Sequence, residues 1–102
     1  MSATDERLFQ SAQDVLPGGV SATARRNAAL GHPFYISRGD GATVYDLDGK
    51  PYVDMCLSHG ASLLGHNHPA IKAGVQRALD LGVLCAAETE HQIALARQLR
   101  EM

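Results

Sequence analysis

Arg38-Gly39-Asp40-Gly41-Ala42-Thr43-Val44-Tyr45-Asp46-Leu47-Asp48-Gly49, followed by Pro51-Tyr52-Val53-Asp54, is the stretch whose reading decides the fold. It alternates short apolar runs with turn chemistry. Phe34-Tyr35-Ile36 precedes it as an apolar run, and Arg38–Gly41 reads as a turn. Thr43-Val44-Tyr45 reads as a second strand. Asp46–Gly49 ends in Asp-Gly, a hairpin signal, and residues 51–54 return as a third strand. Pro51 cannot donate to a ladder, so it suits an edge or a strand start.

Helices are expected on either side of these strands. Leu8, Phe9, Ala12, Val15 and Leu16 share one helical face, predicting a helix over 5–16 capped by Thr4 and ended by Pro17-Gly18-Gly19. Residues 20–33 show no period and read as a long loop, a length at which loops are commonly functional. Pro69 suits the first position of a second helix, with His68 as its cap. Ile71, Val75, Ala78 and Leu79 form that helix's expected buried stripe, and Gly82 its C-terminal stop. Thr89-Glu90-His91-Gln92 fits a capping box for a third helix. That helix reaches Arg100-Glu101-Met102 without a Gly, Pro or Asn stop, as a truncated boundary would. The segment 1–102 is therefore expected to be α+β: an N-terminal helix, a small three-stranded antiparallel sheet and two following helices.

Composition excludes several functions. The net charge of −2 gives no electrostatic footprint for nucleic acid. No apolar run approaches the ~20 residues that span a bilayer. The acidic N-terminus resembles neither a signal nor a transit peptide, so a cytoplasmic location is expected. Cys56 and Cys85 lack metal or redox spacing and read as buried, reduced thiols.

Chemistry-bearing clusters are few. His59, His66 and His68 tempt a metal reading, but no Cys or carboxylate stands at zinc spacing, and no metal site is expected. Asp46, Asp48 and Asp54 lack a calcium loop's closing Glu, and hairpin turn chemistry accounts for the first two. The only lysines, Lys50 and Lys72, fall in a turn and off an apolar stripe, and both read as solvated amines. Arg25, on the aperiodic loop, is either a solvated cation or a clamp for a carboxylate.

Four segments in register carry a family resemblance. Pro17–Arg25 is similar to P-G-G-V-N-S-P-V-R, and Arg38–Gly49 resembles R-G-x-G-A-x-[LV]-[WY]-D-x-D-G. Tyr52-Val53-Asp54 resembles Y-[IV]-D, and Leu64–Pro69 resembles L-G-H-x-H-P. Together they resemble the N-terminal segment of class III aminotransferases, nearest the glutamate-1-semialdehyde aminomutase branch. The resemblance covers residues 5 to about 100.

It implies an α/β pyridoxal-phosphate (PLP) transferase of fold type I in the full enzyme, acting as a homodimer on an amino acid or keto acid. The Schiff-base lysine, the acid on the pyridine nitrogen and the phosphate turn are implied to lie downstream, so this segment alone is expected to hold no PLP and to be inactive. Arg25 matches the arginine that binds the substrate carboxylate, with Ser21 and His59 lining the pocket. The family's Asn-Ser pair is Ser21-Ala22 here. The aromatic position of its S-W-G is His59, and its A-P-T-E is Ala87–Glu90. These departures move the implied activity toward the broader aminotransferase class. The rival reading is a stand-alone, non-catalytic α+β binding module.

Overall fold

The structure is a computed structural model that describes residues 1–82 and 87–102. It divides into two compact units, Met1–His68 and Pro69–Met102.

The first unit opens with α1, Ala3–Val15. The helix starts earlier than its apolar period suggests, because Ser2 and not Thr4 is the cap. The Ser2 hydroxyl accepts from the Asp5 N–H, and the Asp5 carboxylate accepts from the Ser2 N–H, both at 3.2 Å. This reciprocal pair satisfies two amides that the first turn leaves free. After Leu16 the chain turns through Pro17–Gly19. Gly19 sits at φ +71 against Phe9, where a Cβ would come within 2.6 Å of the ring.

The sheet is three-stranded and antiparallel in the order β1-β2-β3: Arg38–Asp40, Thr43–Tyr45 and Pro51–Val53. β2 and β3 fall where the sequence places them, and Pro51 opens an edge strand. The first strand does not. Phe34–Ile36 lies outside the sheet, and the expected turn residues Arg38–Asp40 form β1. Two contacts explain this. The Arg38 guanidinium lies 3.4 Å over the Tyr45 ring, its register partner. Gly39 admits the His66 ring where any side chain would collide with it. Phe34 instead packs edge-to-face on Tyr52, centroids 5.1 Å apart.

Asp46 organises the second hairpin. Its Oδ1 accepts from the N–H of Asp48 and Lys50, and its Oδ2 accepts from the Tyr52 hydroxyl at 3.0 Å. Partial burial pushes its carboxyl pKa up, but these three hydrogen bonds outweigh that, and the value falls below the ordinary 3.8.

Val44, at the centre of β2, is 6% exposed. No other Ala, Val, Ile, Leu, Met or Phe among the described residues is buried. Cys56 is exposed, not buried as its residue type suggests, because it lies on a turn outside the sheet. Cys85 lies outside the described residues.

A four-residue segment not foreseen from the sequence, α2 (Leu57–Gly60), follows β3. In the second unit α3 spans Pro69–Asp80 and α4 spans Glu90–Glu101. Gly82 takes φ +89, as a C-terminal stop requires. The Thr89 capping box forms: the Thr89 N–H donates to Gln92 Oε1 at 2.9 Å, and its Oγ1 accepts from the His91 N–H. The α3 stripe differs from expectation. Ile71, Val75 and Leu79 are each more than half exposed among the described residues, so the apolar period marks a helical face and not its burial.

Candidate functional site

The long loop is more ordered than its lack of period suggests. Thr23–Arg25 forms a 3-10 turn, and Arg26 pairs with Pro33 in an isolated bridge. Asn27 Oδ1 accepts from the N–H of Ala29 and Leu30. The turn brings residues four apart together. Arg25 Nη1 donates to Ser21 Oγ at 2.7 Å. That bond uses one of the guanidinium's five N–H donors and fixes the plane of the others.

Arg25 and Ser21 line a cleft of about 580 Å³ between the end of α1 and residues 33–36. Its walls are mainly apolar, with Leu16, Val20 and Phe34 among them. Asn27 and Tyr35 add polar groups. The Tyr35 hydroxyl is closed off from solvent and has no hydrogen-bond partner among the described residues. Arg25 is the only charged residue in the lining, so the cleft suits one anionic group on an apolar body.

His59 does not line this cleft. It stands on α2, where Leu57, Ser58 and His59 take φ of +50, +52 and +57. The segment therefore winds left-handed. Each non-glycine residue held that way costs roughly 1–2 kcal/mol, and such conformations cluster at functional sites.

A second polar cluster lies below α2. Asp54 Oδ2 is 2.7 Å from His66 Nε2, and Asp54 Oδ1 accepts from the N–H of Cys56 and Leu57. The hydrogen bond to His66, then those from the Leu57 and Cys56 amides, hold the Asp54 carboxyl below the ordinary 3.8. His66 pairs with Gly41 through both main-chain groups, N–H to O at 2.8 Å and O from N–H at 3.1 Å. Sequence reasoning treated Asp54 and His66 as separate motif letters. The only signal of their pairing is that a third-strand carboxylate and a loop histidine follow each other within a short span.

An aldehyde cofactor needs a lysine amine, and its pyridine nitrogen needs an acid. The cleft holds neither. Lys50 Nζ lies 5.2 Å over the Tyr52 ring, and Lys72 is exposed on α3. The cleft therefore fits a carboxylate and does not by itself fit the cofactor. No group of three His, Cys, Asp or Glu able to hold a metal occurs among the described residues.

Comparison with known proteins gives the frame for these residues. Residues 24–102 match the family model of class-III aminotransferases. A glutamate-1-semialdehyde 2,1-aminomutase of Methanosarcina acetivorans is 42% identical over 93 residues, which are 91% of this chain and 22% of that protein. An omega-transaminase from Sphaerobacter thermophilus superposes with a TM-score of 0.84 at 41% identity, over 95% of this chain and 22% of that one. A transaminase solved with PLP bound superposes equally well at 28% identity, over the same shares. The chain thus spans about a fifth of the length of the relatives it matches.

Proposed function

This chain belongs to the class-III aminotransferase family, and from that premise we propose that it is the substrate-recognising N-terminal portion of a PLP-dependent aminotransferase or aminomutase. The whole protein would have the α/β fold-type I architecture, act as a cytoplasmic homodimer, and take an amino acid or keto acid. No helix among the described residues is long and apolar enough to cross a membrane. When bound, PLP supplies the electron sink of the reaction. That the cleft here offers neither amine nor acid supports assigning the residues that would hold it to other parts of the protein.

The observation that carries the reading is the Arg25–Ser21 pair in its apolar cleft. Ser21 receives one N–H and leaves an edge of the guanidinium free for both oxygens of a carboxylate. The apolar walls beside the guanidinium suit the apolar body of such a substrate. His59 is the second recognition residue we propose, as a wall of the pocket completed by the rest of the protein.

In the complete protein, Arg25→Ala is expected to raise KM for a carboxylate substrate ~10-fold or more, from the ~1.5–3 kcal/mol of a hydrogen bond to a charged group. Arg25→Lys should recover only part of this, because an ammonium cannot make the fork. An unchanged KM in Arg25→Ala removes Arg25 from the site.

A further inference from the structure

Three successive non-glycine residues in the left-handed region persist only where their surroundings hold them there. Here the holding atoms can be named. Asp54 Oδ1 fixes the entry to α2 by accepting from the Cys56 N–H at 2.8 Å and the Leu57 N–H at 3.0 Å. The exit is closed by the Ser62 N–H donating to the Leu57 carbonyl at 3.0 Å and the Ala61 N–H to the Ser58 carbonyl at 3.3 Å. Asp54 is itself held through its second oxygen, 2.7 Å from His66 Nε2. His66 cannot drift, because its main chain pairs with Gly41 in both directions and its ring lies against Gly39. A continuous chain of contacts thus runs from the first hairpin through His66 and Asp54 to the turn that carries His59. Neither Asp54 nor His66 lines the Arg25 cleft.

We infer that Asp54 and His66 are positioning residues: they hold Leu57–His59 in its left-handed winding and thereby fix where His59 stands against bound substrate. The inference rests on the reading of His59 as a pocket wall. The carboxylate's two oxygens do separate jobs, which makes the device separable by mutation. Asn at position 54 keeps an Oδ1 acceptor for the two amides and offers its Nδ2–H to a neutral imidazole. Ala keeps neither.

The test compares Asp54→Ala, Asp54→Asn, His59→Ala, the double variant Asp54→Ala/His59→Ala, and Arg25→Ala in the complete protein. Amide hydrogen exchange is read by mass spectrometry over residues 54–62. KM and kcat are read with L-alanine, β-alanine and β-phenylalanine as amino donors and 2-oxoglutarate as acceptor. Asp54→Ala is expected to speed exchange at Cys56 and Leu57 at least ~10-fold. It should raise donor KM roughly three- to tenfold with little change in kcat. The double variant should match His59→Ala alone, because Asp54 acts through His59. Asp54→Asn should lie nearer to wild type than Asp54→Ala in both readouts. Unchanged exchange in Asp54→Ala overturns the holding role, and KM effects that multiply in the double variant overturn the action through His59. If His59→Ala leaves KM unchanged while Arg25→Ala raises it, this inference fails and the proposed function stands. If Arg25→Ala is also silent, the proposed role of Arg25 in substrate recognition fails, and the exchange data alone decide whether Asp54 holds the turn.

Discussion

Gly39→Ala isolates one steric contact. Gly39 lies inside β1 without a positive φ, so an alanine meets no backbone strain there. What it meets is His66. The added Cβ would stand 2.6 Å from the ring's Cγ and 2.9 Å from its Cβ. The near atoms are the base of the side chain, not a flexible tip. The ring is tied at its far end to Asp54 at 2.7 Å, and the main chain on either side is tied to Gly41. The collision can be relieved only by breaking the Asp54–His66 hydrogen bond or opening the Gly41–His66 bridge. Overpacking of this kind costs about 1–3 kcal/mol. Native-state hydrogen exchange at the Gly41 and His66 amides reads that cost directly, as a rate increase of about 5- to 150-fold. The control is the same substitution in a His66→Ala background, where the obstructing ring is gone and the cost should shrink to a few tenths of a kcal/mol. Equal acceleration in both backgrounds would falsify the steric account.

Other predictions follow the same logic. Ser2→Ala removes one half of the α1 capping box and should destabilise that helix by about 1 kcal/mol, visible as faster exchange in its first turn. Asp54 has a folded-state pKa below its ordinary 3.8, so its stabilisation is fully present above about pH 4 and is lost as pH falls through the lowered folded value. Asp54→Asn should therefore lower stability in the neutral region and flatten the acid limb of a stability–pH profile, so that the two proteins converge at low pH; an identical acid limb would refute the assignment. Tyr52→Phe removes a donor to Asp46 and should raise the Asp46 pKa, measurable from the pH dependence of its carboxyl carbon shift.

The sequence reveals those parts of the fold that local chemistry controls. Asp46–Lys50 turns because one aspartate can accept from its own loop amides, a property visible in the letters. Thr89 and Gln92 cap α4 for the same reason. β1 was not legible, because Arg38-Gly39-Asp40 looks like a turn until His66, far along the chain, fills the space above Gly39. The start of α1 is not legible, because Ser2 and Thr4 both have cap chemistry, and only the reciprocal bond to Asp5 chooses between them. At the candidate site Arg25 and Ser21 are four apart and their contact is local. The Asp54–His66 pair and the left-handed winding of α2 depend on tertiary contacts and left no periodic trace.

The nearly coreless packing around Val44 has a calorimetric consequence. The heat-capacity change of unfolding tracks the apolar surface that becomes newly wetted. In this chain Ile71, Val75, Leu79, Ile93 and Leu99 already face water when folded. Their hydration is common to both states and drops out of the difference. The heat-capacity increment per residue should therefore lie below the usual ~12–15 cal/mol/K. A small increment makes the dependence of stability on temperature shallow. Cooling then weakens this chain less than it weakens a protein of the same length with a full interior.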